Sequence, residues 1–215
     1  MFIFERPFSQ KPEFKEKTDN TEEMSPRTKQ QFRDIREEKR SLILGVSLEL
    51  FAEEGYHNAS ISKIAERAGI SKGLIYNYFE SKEDLIRTII IDGLDRLGVL
   101  LDPNRDGVIT RGEMRLFIEQ SFEMMGNDIH FWTLYFSLMT QSQVLRLVSE
   151  KLEETLLLYQ GMLGRYFRML GSEDPETGAL IFGVLMDGIG LNFIMNPEFF
   201  PIEKVKARLI QLYCK

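Results

Sequence analysis

The run Asp102-Pro-Asn-Arg-Asp-Gly-Val-Ile-Thr-Arg-Gly-Glu113 places oxygen donors at the spacing of a calcium loop. Asp102, Asn104 and Asp106 take the first, third and fifth positions of an EF-hand pattern, and Gly107 takes the sharp turn that follows. Val108 would offer its backbone carbonyl, Thr110 the next donor, and Glu113 a bidentate carboxylate. Calcium takes several hard oxygens around a flexible loop, so a bound Ca2+ is one expectation for these six residues. An acidic connector between two helices is the other. EF-hands normally pair, and no second loop of this type occurs in the chain.

A second constellation runs from Ile64 to Tyr76, Ile-Ala-Glu-Arg-Ala-Gly-Ile-Ser-Lys-Gly-Leu-Ile-Tyr. It predicts two short helices meeting at Gly69, where a tight turn needs left-handed backbone. Ala65 and Ala68 are small enough for a close crossing, and Ile64, Ile70, Leu74 and Ile75 face inward. Ser71, Lys72, Gly73, Tyr76, Asn77 and Tyr78 are left on or beside the exposed start of the second helix. Such residues suit phosphates and base edges in a major groove. Lys82, on the first turn of the next helix, can pair with a phosphate beside free backbone N–H groups. The amide of Asn77 can read a base edge. A helical hairpin with a solvated face has the same spacing.

These groups sit in a chain of 215 residues with a net charge of −6. No segment is broadly basic, so nucleic-acid binding must rest on a local cluster. The densest basic run is Arg27, Lys29, Arg33, Arg36, Lys39 and Arg40. Asp34, Glu37 and Glu38 are interleaved, so it reads equally as a salt-bridged, solvated helix start. One cysteine, Cys214, excludes an intrachain disulfide framework and fits a reducing compartment. No nucleophile with a paired base, phosphate loop or open metal cluster is visible, so an enzyme is not expected.

The positioning elements read as helices throughout, and the fold class is all-α. Residues 1–30 carry Pro7, Pro12 and Pro26 without a sustained period, and a flexible extension is expected there. Met24 is an alternative start. A helix-turn-helix domain over 31–82 follows, with Gly55 and Gly69 as stops and Ser60, Ser71 and Ser81 as caps. A connecting helix over 83–101 leads to the loop 102–113. Further helices are expected at 111–126, 128–140, 142–170, 174–196 and 202–213, within a second domain over 114–215. The apolar stretch 179–195 contains Asp187 and Asn192 and is expected to be a buried helix rather than a membrane span.

Phe51-Ala-Glu-Glu-Gly-Tyr56, Ser60-Ile-Ser-Lys-Ile-Ala-Glu-Arg-Ala-Gly69, Ser71-Lys-Gly-Leu-Ile-Tyr-Asn-Tyr-Phe79 and Ser81-Lys-Glu-Asp-Leu85 stand in one register. Over residues 37–95 the chain closely resembles the tetracycline-repressor (TetR) family of bacterial regulators. The C-terminal half matches by layout only, and TetR-like proteins do not generally carry a calcium loop.

The resemblance implies a cytoplasmic bacterial homodimer that binds a palindromic operator in double-stranded DNA, usually as a repressor. It implies that Ser60, Ser71, Lys72, Gly73, Tyr76, Asn77, Tyr78 and Lys82 face DNA, and that the basic residues before Leu42 form an arm near it. It implies dimerisation through 174–196 and 202–213, where Gly178, Gly183, Gly188 and Gly190 would allow close approach. It also implies a small apolar or amphipathic effector among Met and aromatic side chains, with Trp132, Phe136, Met139, Tyr159 and Phe167 as the expected lining. No organic cofactor and no membrane partner are expected. The alternative reading is a calcium-binding EF-hand protein whose main output is not DNA binding.

Overall fold

The structure is a computed structural model and describes residues 28–214. The described residues form helices and no strands: α1 (Lys29–Asn58), α2 (Ile61–Arg67), α3 (Lys72–Tyr76), α4 (Lys82–Leu101), α5 (Arg111–Asn127), α6 (Ile129–Met139), α7 (Ser142–Met169), α8 (Pro175–Met195) and α9 (Ile202–Tyr213). The all-α expectation holds. The chain divides after Leu85 into two compact units.

Most of the expected extension, with the alternative start at Met24, lies outside the described residues. Its expected end at residue 30 is too late, because helix begins at Lys29. Thr28 and Gln31 close a capping box there: Thr28 Oγ1 accepts from the Gln31 N–H, and Gln31 Oε1 accepts from the Thr28 N–H.

The first unit is held by α1, α2 and α3. Ile43, Leu44 and Phe51 on α1, Ile64 on α2 and Ile75 on α3 are fully buried. Each such side chain contributes roughly 1.5–3 kcal/mol relative to an exposed one. Helical backbone in α1 is interrupted at Gly55, whose φ of 79° suits glycine. Gly69, with φ of 64°, makes the turn between α2 and α3. Ser60 and Ser71 cap the helices that follow them, accepting from the N–H groups of Lys63 and Leu74. Arg67 reaches back from α2 to Glu53 and Glu49 on α1, and Lys63 to Glu54. These pairs are exposed and add little to stability.

The second unit packs α7 against α8, with α5 and α6 completing the layer and α9 lying on α5. Its interior is strongly aromatic. Phe131, Trp132 and Tyr135 on α6 form one ring cluster. Phe167, Phe182 and Tyr213 form another.

The stretch expected to be a buried helix is buried on one side only. Phe182, Met186 and Phe193 of α8 face the interior, while Leu180, Ile181, Val184, Leu191 and Met195 are exposed. By length and composition α8 could cross a membrane, and one third of its most apolar window is buried in the chain. Its other apolar side is therefore open.

Candidate nucleic-acid interface

α3 is only one turn and a half long, and its exposed side is polar. Ser71, Lys72, Gly73, Tyr76 and Asn77 are exposed and Tyr78 is half-buried. Ile75 and Phe79 are buried, so they fix the rotation of α3 and leave the polar residues outward. Lys72 Nζ lies 6.0 Å from the Tyr76 ring centroid, placing its cation beside the ring. Asn77 is the C-cap of α3, and the turn through Tyr78 and Phe79 closes on the Ile75 carbonyl. Ser60 is also exposed, with its hydroxyl oxygen already engaged as the α2 cap.

Lys82 is placed differently from a free phosphate ligand. Its Nζ donates to the carbonyls of Tyr56 and Ala59, each at 2.9 Å, and lies 4.3 Å from the Tyr56 ring centroid. Those carbonyls belong to the end of α1, where backbone acceptors lack helical partners. Beside it, Tyr56 Oη donates to Glu83 Oε1 at 2.8 Å. That bond holds the Glu83 carboxyl below its ordinary range. Two of the three ammonium N–H groups are thus engaged within the chain, leaving one for a phosphate. We expect Lys82→Ala to destabilise the protein by about 2 kcal/mol through the lost charge-assisted bonds. Chemical denaturation measures this. An unchanged midpoint with a shallower salt dependence of DNA binding would assign Lys82 to the phosphate alone.

The six residues of the expected calcium site are not gathered as an ion cage. Asp102 accepts from the N–H groups of Asp106 and Gly107, at 3.2 and 3.0 Å. Asn104 Oδ1 accepts from the Asp106 N–H, and Asp106 Oδ1 from the Val108 N–H. Glu113 turns to its own helix: its Oε2 accepts from the Thr110 N–H at 2.8 Å, while Thr110 Oγ1 accepts from the Glu113 N–H. This is the capping box of α5. Arg165 on α7 donates to the Gly107 carbonyl at 2.7 Å and ties the turn down. Among the described residues, no group of three or more His, Cys, Asp and Glu side chains is placed to hold a metal. The calcium expectation and the EF-hand alternative find no support in this arrangement.

The five expected lining residues of the effector site do not meet in one cavity. Trp132 is fully buried among rings and Phe167 packs in the other cluster. Tyr159 on α7 donates to the Leu94 carbonyl at 3.4 Å, and Met139 is half-buried on α6. Phe136 lines an open groove of about 210 Å³ with Thr133, Ser137, Thr140, Leu191, Ile194 and Met195.

Two features escaped the sequence reading. Gly93 and Gly98 are notches in α4 that receive the rings of Tyr135 and Tyr159. Tyr135 Oη donates to the Ile90 carbonyl at 3.0 Å inside the core. Burial pushes both phenols up, that of Tyr159 to about 12. Two glycines inside an apolar helix were the available signal, since glycine weakens a helix interior. The second feature is Arg96 on α4, whose guanidinium lies over the Phe131 ring at 4.4 Å. Burial lowers its pKa against the opposing pull of Asp128 and Asp92.

The site thus lies in a helix-turn-helix unit that is followed in the chain by an all-helical unit with an aromatic interior. Residues 43–89 match the model of the family described as bacterial regulatory proteins, tetR family. The chain is 24% identical over 179 residues to the fatty acid metabolism regulator protein of Bacillus subtilis (strain 168), covering 79% of this chain and 91% of that protein. It is 31% identical over 102 residues to the transcriptional activator FasR of Mycolicibacterium smegmatis, covering 47% of each. The structure of FadR from Bacillus subtilis in complex with stearoyl-CoA shares the fold. Its TM-score is 0.62 at 21% identity, covering 82% of this chain and 98% of that one. Residues 43–89 thus resemble the tetR family of bacterial regulatory proteins, and over most of its length the chain is similar to proteins named as regulators.

Proposed function

We propose that this protein is a homodimeric repressor that holds a palindromic operator and releases it when a long-chain acyl thioester binds the second unit. The reading places it in the bacterial cytoplasm. The observation that carries the DNA half is the outward polar side of α3. It is fixed by buried Ile75 and Phe79 and presents Lys72, Tyr76 and Asn77 together. Asn77 serves base reading, and Lys72 with the caps of α2 and α3 serves the phosphates.

Support for dimerisation comes from α8. Leu180, Val184, Gly188, Leu191 and Met195 recur at helical spacing on its open side. A Cβ at Gly188 would meet nothing within 4 Å in the chain, so in-chain packing does not require that glycine. It costs the helix about 1 kcal/mol relative to alanine, which a close approach by a second α8 would offset. Gly178 and Gly190 instead face Phe167 and Met125 of their own chain. α9, the other expected interface helix, also packs within the chain. Its apolar side lies on α5, with Leu209 buried. Exposed Leu156 and Leu157 on α7, the helix beside α8, extend the apolar surface.

Support for the effector class comes from the regulators of fatty acid metabolism among the relatives and from the stearoyl-CoA bound to one neighbour. The apolar groove at Phe136, Leu191, Ile194 and Met195 opens beside the ring cluster of α6. At about 210 Å³ it holds only part of a long acyl chain, so binding must move the α6 and α8 side chains.

The test is fluorescence anisotropy on a labelled duplex from the DNA upstream of the protein's own coding sequence. The expected result is saturable binding that falls steeply with salt and is reversed by micromolar stearoyl-CoA but not by coenzyme A. Binding no tighter than to a scrambled duplex overturns the regulator reading. Release by neither molecule overturns the effector class alone.

A further inference from the structure

Two deeply buried polar atoms of the second unit have no hydrogen-bond partner among the described residues: Oδ2 of Asp128 and Nε1 of Trp132. Asp128 is 5% exposed and Trp132 1%. Folded proteins answer nearly all such groups, because an unanswered one loses its water for nothing. Asp128 ends α5 and caps α6, and its Oδ1 is used there, accepting from the Phe131 N–H at 3.3 Å. The backbone N–H of Trp132 donates to the Asp128 carbonyl at 3.2 Å. The two side chains therefore stand one helical turn apart on the same side of α6, with about 5–6 Å between their Cβ atoms.

The surroundings leave little room. The indole is packed by the rings of Phe131, Tyr135 and Phe136, at 5.1, 5.4 and 6.5 Å between centroids. The Arg96 guanidinium lies over the Phe131 ring at 4.4 Å, where the charges of Asp128 and Asp92 favour its cation against burial. One acceptor and one donor thus share a closed corner that is aromatic on one side and ionic on the other.

We propose that Asp128 and Trp132 hold a single hydroxyl oxygen between them, which accepts from the indole N–H and donates to Oδ2. Hydrogen bonds of about 3 Å let one oxygen join partners up to about 5 Å apart. The chemistry is restrictive. A carbonyl or carboxylate oxygen has no proton for Oδ2, and an ammonium has no lone pair for the indole. Water and the hydroxyl of a small alcohol have both. The site requires neither DNA nor the acyl effector, so it stands or falls apart from those readings.

Trp132 is the single tryptophan of the chain, so its indole N–H gives one unambiguous resonance in isotope-labelled full-length protein. The experiment measures cross-relaxation from that proton, first in buffer and then with millimolar 1-hexanol. The expected result in buffer is a cross peak to a long-lived water. If hexanol leaves that peak in place, the oxygen is a resident water. If hexanol replaces it with a peak to the methylene beside the alcohol's hydroxyl, the site takes alcohols. Asp128→Ser keeps a capping oxygen for α6 but removes Oδ2, and it should abolish either peak with helicity unchanged by circular dichroism. Urea denaturation adds a second reading through Trp132→Phe, which keeps a ring and removes the N–H. One shared oxygen makes the midpoint loss of the double variant smaller than the sum of the two single losses, and the cost of each truncation cancels in that comparison. A wild-type indole with no cross peak to water or hexanol overturns the site. So does a peak that persists in Asp128→Ser, or losses that simply add.

Discussion

Gly93→Ala destabilises the protein by about 3 kcal/mol, the upper end of what overpacking costs. A Cβ at that position would stand 2.8 Å from Cζ and 2.9 Å from Cδ2 of Tyr135, with Cε2 nearer still. Tyr135 cannot yield, because it is only 4% exposed and its ring is flanked by Phe131, Trp132 and Phe136. Displacing it also breaks the buried hydroxyl bond to the Ile90 carbonyl. Gly98→Ala is expected to cost less, about 1 kcal/mol. The clash there is with the hydroxyl and Cζ of Tyr159, a half-buried residue that can swing outward. Both values already allow for the about 1 kcal/mol that alanine's helix propensity recovers at each site. Urea denaturation of the two variants decides the matter. A Gly93→Ala protein as stable as wild type would mean that Tyr135 does not occupy the notch.

Val184→Glu is expected to convert the proposed dimer to a monomer and to weaken operator binding by 10²- to 10⁴-fold. Val184 is 64% exposed in the single chain and sits mid-way along the open stripe of α8. A carboxylate there would be buried against an apolar partner surface without a compensating charge. Losing the dimer removes the effective-concentration gain of two linked half-site contacts, which sets the size of the drop. Light scattering with size-exclusion chromatography reports the mass, and anisotropy reports the affinity. The companion variant Leu212→Glu on α9 should stay dimeric, because α9 spends its apolar side on α5. A dimeric Val184→Glu protein would remove α8 from the interface.

Much of the helix layout was legible because local chemistry marks it. Serines stand at the starts of α2 and α3, Gly69 takes the left-handed turn, and Pro175 opens α8. The outward residues of α3 were readable for the same reason, since Ile75 and Phe79 declare which side is inside. What the sequence left open was which of two structures one spacing serves. Thr110 and Glu113 stand three apart, a spacing that serves the last ligands of a calcium loop and equally a capping box. The helix start takes both side chains here. The notches of α4 were illegible for another reason. A glycine in a sequence shows that room is needed, not which ring fills it, and Tyr135 and Tyr159 arrive from distant helices. The reach of α1 to Lys29 depended on a cap at Thr28 that the proline-containing approach obscured.

The second unit has a particular order of assembly built into it. Tyr213, near the end of the chain, places its ring against Phe167 and Phe182, and its carbonyl accepts from Tyr166 Oη at 2.5 Å. One of the two aromatic clusters is therefore incomplete until α9 has left the ribosome. The first unit needs nothing beyond Leu85 for its own compact set of contacts. During synthesis the DNA-reading unit can fold while the regulatory unit is still being made. The helix-turn-helix unit thus has its own contacts in place before Tyr213 completes the aromatic cluster of the second unit.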